Sequence, residues 1–529
     1  MKDERITMKK HTILAVLIVT LLAACGPQIP ASFTEADMTP KIYPDYVDVT
    51  IPVNIAPLTF ELDEEADEMV ARYSAPDGNG QEIVCADKMQ PDIDDWRDLI
   101  TQNSVINVDV YARRRSAEGR LQGENGQWTH YKPFHIRISP DSIDPYLSYR
   151  LIQPSYVSYE ALTISQRCLE NYDESVIYDN MLCGFEKEGQ CINCHSYQQY
   201  NPARFQFHAR QKDGGTVIAY DGDIKKINMR NDSILSAGVY PAWHPWLKLI
   251  VYSTDKTHQS FHTTDANKVE VYDEESDIIA FDIENGTVTN LENDTTEFEV
   301  FPAWAPDGKT LYYCSAHFDR HDPTVSKSAE VVRRSTELKY NIYKKSFNPD
   351  TKEFGPRELV FSADTITPDS SHITQSPTGF SAVLPRVSPD GRYLLFTMSR
   401  YGYFHIWHHD ADLWMLDLQS GKARPLDELN SPDTESYHTW SSNARWVVFS
   451  SRRDDGVYTR PFFAHVDADG SVSKPFELPQ ADPDFHRQFL KCYNIPELMR
   501  GPVTISPQTF ADVLKGGAQP VKYIQRLGR

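Results

Sequence analysis

Basic residues are scarce in this 529-residue chain: 53 Lys and Arg stand against 75 Asp and Glu, which gives a formal net charge of −22. The amino-terminal leader proposed below contains four basic and two acidic residues, a net +2, so the chain that remains carries −24. A general field of this sign repels nucleic acid and anionic lipid headgroups. The sequence therefore predicts no nucleic-acid partner.

Motifs of the common catalytic and nucleotide-binding folds are also missing. The sequence contains no Gly-x-Ser-x-Gly nucleophile elbow, no phosphate-binding P-loop and no dinucleotide-binding glycine fingerprint. We therefore expect a protein without enzymatic activity and assign no catalytic residue.

Long apolar runs are limited to one, from about Thr12 to Ala24, which follows Lys9 and Lys10 and is too short to span a bilayer. This pattern is typical of a signal peptide. Its end, Leu22-Ala23-Ala24-Cys25, resembles the lipobox of bacterial lipoproteins, which implies cleavage before Cys25 and diacylation of its thiol. An ordinary secretory signal is the alternative. We expect a lipid-anchored protein of the cell envelope that faces the periplasm, with the outer membrane favoured over the cell surface.

Cys191-Ile192-Asn193-Cys194-His195 has the pattern of covalent c-type haem attachment. Cys191 and Cys194 would add to the two vinyl groups of one haem, and His195 would be the proximal iron ligand. His208 is the nearest downstream imidazole and is the candidate distal ligand. The glycines before the motif favour an irregular loop there, and the motif itself is compatible with a short helix.

Two other interpretations of this motif stay open. Cys183, Cys191, Cys194 and His208 could supply the four ligands of a zinc site. Cys191 and Cys194 could instead form a disulfide. Only haem attachment explains why a histidine directly follows Cys194.

The other cysteines are Cys85, Cys168, Cys183, Cys314 and Cys492, an odd number that cannot pair completely within one chain. Proximity in sequence favours a disulfide between Cys168 and Cys183. Cys314 lies in an apolar strand pattern and is predicted to be a buried core residue.

Alternating apolar residues predict strands in the first part of the chain, as at Ile106, Val108 and Val110. Residues 46–145 are predicted to form a small β-sandwich-like domain after a tether over 25–45. Residues 146–204, rich in aromatic side chains, are predicted to be a connector that carries the Cys-x-x-Cys-His motif.

From about residue 205 the chain repeats a unit of an apolar strand, a tight turn and a second apolar strand. The explicit copies begin at Tyr240-Pro241-Ala242-Trp243, Phe301-Pro302-Ala303-Trp304, Leu384-Pro385-Arg386-Val387 and Tyr437-His438-Thr439-Trp440. Two copies continue into Pro-Asp-Gly turns. The repeat resembles that of TolB-like β-propellers, which implies six four-stranded blades over 205–529. The resemblance also implies a first blade near Gly214–Ile218. The stretch Phe489–Pro496 is expected to supply or cover the closure of the ring.

The whole arrangement resembles a set of secreted bacterial propeller lipoproteins with an amino-terminal β domain, a Cys-x-x-Cys-His-Ser string and a TolB-like ring. The matching strings are Ile143-Asp144-Pro145-Tyr146-Leu147, Cys191 to Ser196, Ser450 to Gly456, and Tyr493 to Glu497. The resemblance supports an all-β architecture more than a function.

Two functions from different classes are compatible with the sequence. In the first, one covalent haem transfers electrons or senses redox state while the propeller docks an envelope protein. In the second, the propeller is a non-catalytic scaffold that binds envelope proteins or polymers, and the cysteine motif is structural.

Overall fold

The computed structural model describes residues 26–76, 81–113, 127–154, 161–184, 189–366 and 379–527. The predicted signal peptide and the lipidation site Cys25 lie outside these ranges. Within them, no helix has the length and apolarity needed to cross a membrane. The chain forms two compact units. The first contains residues within 1–49, 56–138 and 479–485, and the second contains residues within 50–55, 139–478 and 486–529.

The first unit is built around a mixed β-sheet. Its strands are β1 (Phe33–Glu35), β2 (Ile42–Tyr43), β4 (Glu61–Leu62), β5 (Glu68–Ser74), β6 (Glu82–Ala86), β7 (Val105–Arg113), β8 (Trp128–His130) and β9 (Phe134–Ser139). The main sheet has the order β1-β8-β7-β5-β6, with β9 also paired to β7, while β2 and β4 form a separate pair. β1 and β8 are parallel. The alternating residues Ile106, Val108 and Val110 are buried in β7, as predicted.

One helix, α1 (Ile93–Gln102), covers this sheet. Asp92 caps its first turn by accepting hydrogen bonds from the backbone N–H groups of Asp94 and Asp95. Trp96 is buried, and its ring lies 5.3 Å from that of Tyr73 on β5. The purely β domain predicted for 46–145 did not include this helix.

The second unit is a β-propeller of six four-stranded antiparallel blades among the described residues. Blade 1 contains β10 (Tyr146–Ile152), β11 (Thr163–Cys168), β12 (Glu174–Asp179) and β33 (Cys492–Met499). Blade 2 contains β13 (Gln190–Tyr197), β14 (Arg204–Gln211), β15 (Gly215–Tyr220) and β16 (Asp223–Asn228). Blade 3 contains β17 (Val239–Trp243), β18 (Leu249–Phe261), β19 (Val269–Asp282) and β20 (Thr287–Glu292).

The remaining blades follow the same plan. Blade 4 contains β21 (Glu297–Trp304), β22 (Thr310–His317), β23 (Asn341–Asn348) and β24 (Glu353–Phe361). Blade 5 contains β25 (Ser381–Val387), β26 (Tyr393–Ser399), β27 (Asp412–Asp417) and β28 (Lys422–Pro425). Blade 6 contains β29 (Glu435–Trp440), β30 (Trp446–Ser451), β31 (Arg460–His465) and β32 (Phe476–Glu477).

Short elements complete this unit. They are β3 (Thr50–Pro52), β34 (Gln519–Pro520), β35 (Lys522–Tyr523), α2 (Lys327–Arg333), α3 (Phe485–Gln488, whose first residue belongs to the other unit) and α4 (Pro507–Lys515). β34 pairs with β16 and β35 pairs with β20, both in parallel, so the carboxyl-terminal segment extends blades 2 and 3.

The ring is closed by the carboxyl-terminal part of the chain. The inner strands are β33, β13, β17, β21, β25 and β29, and each contacts the next around a complete circle. β33 pairs antiparallel with β10, from Tyr146↔Met499 to Ile152↔Cys492. The prediction that Phe489–Pro496 takes part in closure is confirmed, because the carboxyl-terminal strand β33 completes blade 1 by pairing with β10.

The first blade lies earlier in the chain than the repeat indicates. Residues 146–204, predicted to be a connector, contribute three strands to blade 1 and the inner strand to blade 2. Gly214–Ile218, expected to mark the first blade, belongs largely to the third strand of blade 2. Almost every residue of β10 is buried, on both faces, so its sequence lacks the apolar–polar alternation of a half-buried strand.

Two expectations about cysteines have different outcomes. All seven described cysteines are free thiols, so Cys168 and Cys183 do not form the predicted disulfide. Both are instead separately buried, and the Cys183 Sγ lies 3.2 Å from the Tyr178 hydroxyl. Cys314 lies fully buried in β22, as predicted.

Candidate functional site

All six inner strands bend at the same place. A register shift interrupts the pairing of each inner strand with its neighbour, and one residue at the shift has a left-handed backbone. These residues are Cys194 (φ 57°), Tyr240 (48°), Phe301 (55°), Leu384 (57°), Tyr437 (43°) and Ile495 (53°). Such a bulge re-aims the side chains of a strand, and a non-glycine residue rarely adopts this backbone. Six copies show that the bend is a property of the repeat.

The bulged residues surround the propeller axis. All six line a cavity of about 40 Å³. A single water molecule takes roughly 30 Å³ of liquid volume. The bulges therefore leave only a small space at the axis.

The Cys-x-x-Cys-His motif lies at this bulge in blade 2. Cys194 occupies the left-handed position, and His195 stands where other blades have proline. The equivalent prolines are Pro241, Pro302, Pro385 and Pro496, and blade 6 has His438. The motif is part of strand β13 and not of a short helix.

The two thiols of the motif lie in different surroundings. Cys191 belongs to a buried apolar cluster that includes Phe205 and Phe207, whereas Cys194 lines the axial cavity. The backbone between them is held in place, since Arg150 Nη1 donates to the carbonyl of Ile192 at 3.1 Å. Burial raises the pKa of the Cys194 thiol, so it is not an activated nucleophile.

His195 is almost completely buried, with 1% of its surface exposed. Burial, and then the positive charge of Arg150, lower its pKa to about 3. Backbone groups of Ser148 and Ile495 lie near the ring, but its nitrogens make no hydrogen bond of good geometry with the described residues. The ring is therefore a neutral, packed side chain.

These residues do not fit a covalently attached haem. A ligand of drug size occupies a pocket of roughly 300–1,000 Å³, whereas the cavity at Cys194 and His195 measures about 40 Å³. Cys191 does not line that cavity. One macrocycle therefore cannot reach both thiols and the imidazole in this arrangement.

The alternative interpretations of the motif also lack the required geometry. Among the residues that the structure describes, no group of three or more His, Cys, Asp or Glu side chains could hold a metal ion, and this set includes Cys183, Cys191, Cys194 and His208. Cys191 and Cys194 are both free thiols. His208 lies on β14, where its Nδ1 is 3.0 Å from the Thr216 hydroxyl. The structure thus does not assemble the predicted site residues into one centre.

A wider cavity of about 150 Å³ lies beside this narrow point and is lined by residues from all six blades. It is called the axial funnel here. Its wall contains small or polar side chains two residues after each bulge and large apolar ones three residues after it. The first set is Ser196, Ala242, Ala303, Arg386, Thr439 and Glu497, and the second is Tyr197, Trp243, Trp304, Val387, Trp440 and Leu498.

The tryptophans of the funnel differ in their hydrogen bonds. Trp440 Nε1 donates to the backbone carbonyl of Arg386 at 3.1 Å, and Trp243 Nε1 donates to the hydroxyl of Ser196 at 3.2 Å. Trp304 Nε1 has no hydrogen-bond partner among the described residues. A buried indole N–H usually has one, so the Trp304 N–H is an exception among the tryptophans of the funnel.

One ion pair lies in the wall of the funnel. Arg386 Nη2 is 2.9 Å from Glu497 Oε1, which joins blades 5 and 1 across blade 6. The Thr439 hydroxyl donates to Glu497 Oε2 at 3.4 Å. Burial raises the pKa of Glu497, although Arg386 opposes this shift. Carboxyl groups with raised pKa values in a cleft are typical of functional sites.

The sequence interpretation missed the funnel, although a signal was present. Trp243, Trp304 and Trp440 recur at one position of the quoted repeat, and Arg386 replaces a small residue at another. Side chains at one repeat position converge on the axis of a closed ring. The site was instead predicted at the Cys-x-x-Cys-His motif, which lies at the bulge of blade 2.

No protein-family model matches this chain, and no curated protein matches it. Among solved structures, the chain is similar to TolB from Acinetobacter baumannii, with a TM-score of 0.40 and 12% identity over 77% of this chain and 85% of that chain. An auxiliary nutrient binding protein from Bacteroides thetaiotaomicron aligns with a TM-score of 0.32 and 10% identity, over 81% and 99% of the two chains. A puromycin hydrolase aligns with a TM-score of 0.33 and 11% identity, over 65% of this chain and 54% of that chain. The fold itself is established by the strand pairing: the second unit is a six-bladed β-propeller.

Proposed function

We propose that this protein is a non-catalytic binding scaffold whose ligand site is the axial funnel. The observation that carries the proposal is the convergence of all six blades on one cavity whose wall contains three tryptophans and the ion pair between Arg386 and Glu497. Concave aromatic surfaces with a few fixed polar groups are typical of binding sites.

The chemistry of the wall suits an extended peptide segment of an envelope protein. Flat indole and proline faces pack against apolar side chains and proline rings, and an indole N–H donates to a backbone carbonyl, as in the recognition of polyproline II segments. Arg386 would donate, and Glu497 would accept, hydrogen bonds at the side of that segment only after their own pairing loosens. The cavity is small, so one or two side chains of the partner would enter it.

Electron transfer through haem receives no support from the site, because the cavity at the motif is too small and the two cysteines lie apart. We keep the envelope location as part of the proposal. It rests on the lipobox-like string that ends at Cys25, and a lipid at that position would hold the propeller near the membrane.

A site-specific photo-cross-linker tests the binding site. A benzoylphenylalanine residue replaces Trp246, which is half exposed and follows the funnel residue Pro245. We expect a cross-linked envelope protein in intact cells, and a reduced yield when the Arg386→Ala change is added. Leu359, equally exposed on the outer strand of blade 4, is the control position.

Two outcomes would contradict the proposal. The first is equal capture of the same protein from positions 246 and 359. The second is a cross-link to a glycan polymer alone, which would replace the peptide ligand with a carbohydrate.

The anchor has its own test. Cys25→Ser should move the protein from the membrane fraction to the soluble periplasmic fraction, because one residue carries the lipid. Retention on membranes after a salt wash would contradict lipidation at Cys25.

A further inference from the structure

A second cavity, of about 510 Å³, lies in the second unit at the other end of blade 2 from the axial funnel. On β13, the funnel residues Ser196 and Tyr197 end the strand, and Cys191 near its start pairs with Arg210 of β14. Arg210 and its neighbours line the second cavity. Its volume falls in the range of roughly 300–1,000 Å³ that is usual for small-molecule sites.

This cavity is basic in a protein that is otherwise acidic. His208, Arg210 and Arg230 line it, and none of the described residues in its lining is an aspartate or a glutamate. It is called the basic cavity here. Arg210 and Arg230 both keep solvent-exposed surface. An acidic chain of net charge −22 gives no general reason for such a grouping.

The two guanidinium groups have no hydrogen-bond or ion-pair partner in the part of the chain that the structure describes. Neither Arg210 nor Arg230 makes a side-chain hydrogen bond or an ion pair within 4.0 Å with any described residue. Asp255 is the carboxylate whose charge acts on Arg210, but the two groups lie beyond ion-pair distance. Arginine presents five N–H donors in a planar fork, which binds the oxygens of a carboxylate or phosphate group in pairs.

The positive charge of the cavity also acts on the imidazole of His208. Burial, and then the positive charges of Arg210 and Arg230, together lower the pKa of His208 to about 3. Both arginines therefore act on one point, the imidazole of His208. No carboxylate contributes to this shift.

We propose that the basic cavity binds a phosphate monoester group through Arg210 and Arg230. Two guanidinium groups balance the charge of about −1.5 to −2 that a phosphate monoester carries at neutral pH. Asn228, which also lines the cavity, adds polar capacity beside the arginines. The site is separate from the axial funnel and does not depend on the function proposed for it.

The carboxyl-terminal segment forms part of the wall. Ala518 lines the cavity, and Lys226 Nζ donates to the carbonyl at Leu514, near the end of helix α4. β34 continues from there along β16. The carboxyl-terminal segment thus forms one side of the wall of the basic cavity.

Isothermal titration calorimetry with the purified full-length protein tests the proposal, with inorganic phosphate as the probe and succinate as a dianion of different geometry. We expect phosphate to bind and succinate to bind at least tenfold more weakly. Arg230→Gln and Arg210→Gln should each weaken phosphate binding at least about tenfold, since hydrogen bonds to charged groups contribute about 1.5–3 kcal/mol. Arg137→Gln, an exposed change of the same charge in the first unit, should leave binding unaltered.

Further arms keep the test decisive. Arg210→Lys retains the charge but loses the fork, so binding should fall between that of the natural protein and Arg210→Gln; melting curves check that each variant is folded. Flotation with phosphatidylcholine vesicles that contain phosphatidic acid shows whether the phosphate belongs to a lipid: Arg230-dependent flotation assigns the headgroup, and its absence alongside phosphate binding assigns a soluble ligand. Absence of phosphate binding in both arms, equal binding of succinate, or binding insensitive to both arginine changes would overturn the proposal.

Discussion

The inner strands of blade 2 and of the other five blades bend at equivalent positions, but the residue types at the bend differ. Four blades place proline directly after the left-handed residue, and blade 6 places His438 there. Blade 2 places His195 after Cys194 at this position. The comparison shows that Cys194 and His195 occupy positions that the backbone of the repeat defines in all six blades.

The same comparison explains how a strong motif and a propeller strand coincide. A haem motif requires two thiols and an imidazole that face one macrocycle. In β13 the bulge separates Cys191 from Cys194, so their side chains enter the interblade core and the axial cavity respectively. The same residues at the same spacing therefore do not imply the geometry of a haem site.

The largest effect is expected from removing the inner strand of blade 1. A chain that ends at residue 485 lacks β33 and leaves β10 as an open edge beside the axis. Exposed edges pair with other chains. We expect the truncated protein to aggregate and to lack a cooperative melting transition, measured by light scattering and circular dichroism.

A shorter truncation provides the control. A chain that ends at residue 516 keeps β33 and α4 but loses β34, β35 and Leu527, which is buried between blades 3 and 4. It should remain soluble with a lower melting temperature. Removal of 524–529 alone should also cause a measurable loss of stability, because Leu527 is buried. A soluble, cooperatively melting 1–485 chain would show that closure does not require β33.

Blades 4 and 6 offer a second comparison at one position of the inner strand. Glu299 and Glu435 each lie two residues before the bulge, and both are fully buried. Glu435 accepts hydrogen bonds from Ser431 and Ser451 and pairs with Arg453 Nη2 at 3.1 Å. Neither carboxyl oxygen of Glu299 has a partner among the described residues.

This difference predicts opposite effects of the same substitution. Glu435→Gln breaks a buried ion pair and should destabilise the protein by about 3 kcal/mol. Glu299→Gln should stabilise it, because burial, with Glu292 and Asp277 nearby, raises the pKa of Glu299 to about 9. The folded state then favours the protonated form. Its stability is highest below the ordinary carboxyl pKa of about 4.3 and falls as the pH rises toward 9.

Urea unfolding across a pH series measures both effects. The gain from Glu299→Gln should be near zero at pH 4, about 3 to 4 kcal/mol at pH 7 and larger at pH 9. Glu435→Gln serves as the matched control of opposite sign. A gain from Glu299→Gln that is the same at every pH would mean that Glu299 has an ordinary pKa and a partner.

More of the fold than of the candidate site could be predicted from the sequence. The repeat beginning at Tyr240 and Phe301 predicted the propeller, and the tail near Tyr493 predicted its closure, because both depend on local patterns of apolar strands and turns. Blade 1 was missed because β10 is buried on both faces and has no alternation. The funnel and the basic cavity could not be predicted, since Arg386 meets Glu497 only after the blades have packed, and Arg210 and Arg230 come to line one cavity only after the strands of blade 2 have paired.

The smallest expected effect gives the sharpest test of blade 2. If His195 only fills the position that Pro241 and Pro302 occupy in other blades, the protein should tolerate proline there. Residues 194 and 195 lie outside the paired register of β13 and β14, so proline would interrupt no pairing between these strands. We expect His195→Pro to change the free energy of unfolding by no more than about 1 kcal/mol, because proline at a compatible position restricts the unfolded chain and offsets the lost packing. Produced in a host with haem-ligation machinery, both proteins should be colourless and show no haem-stained band after denaturing electrophoresis. A band in the natural protein that disappears in His195→Pro would support haem attachment after all. Proline can occupy this position in the bend, as it does in four other blades, but it cannot replace histidine as an iron ligand.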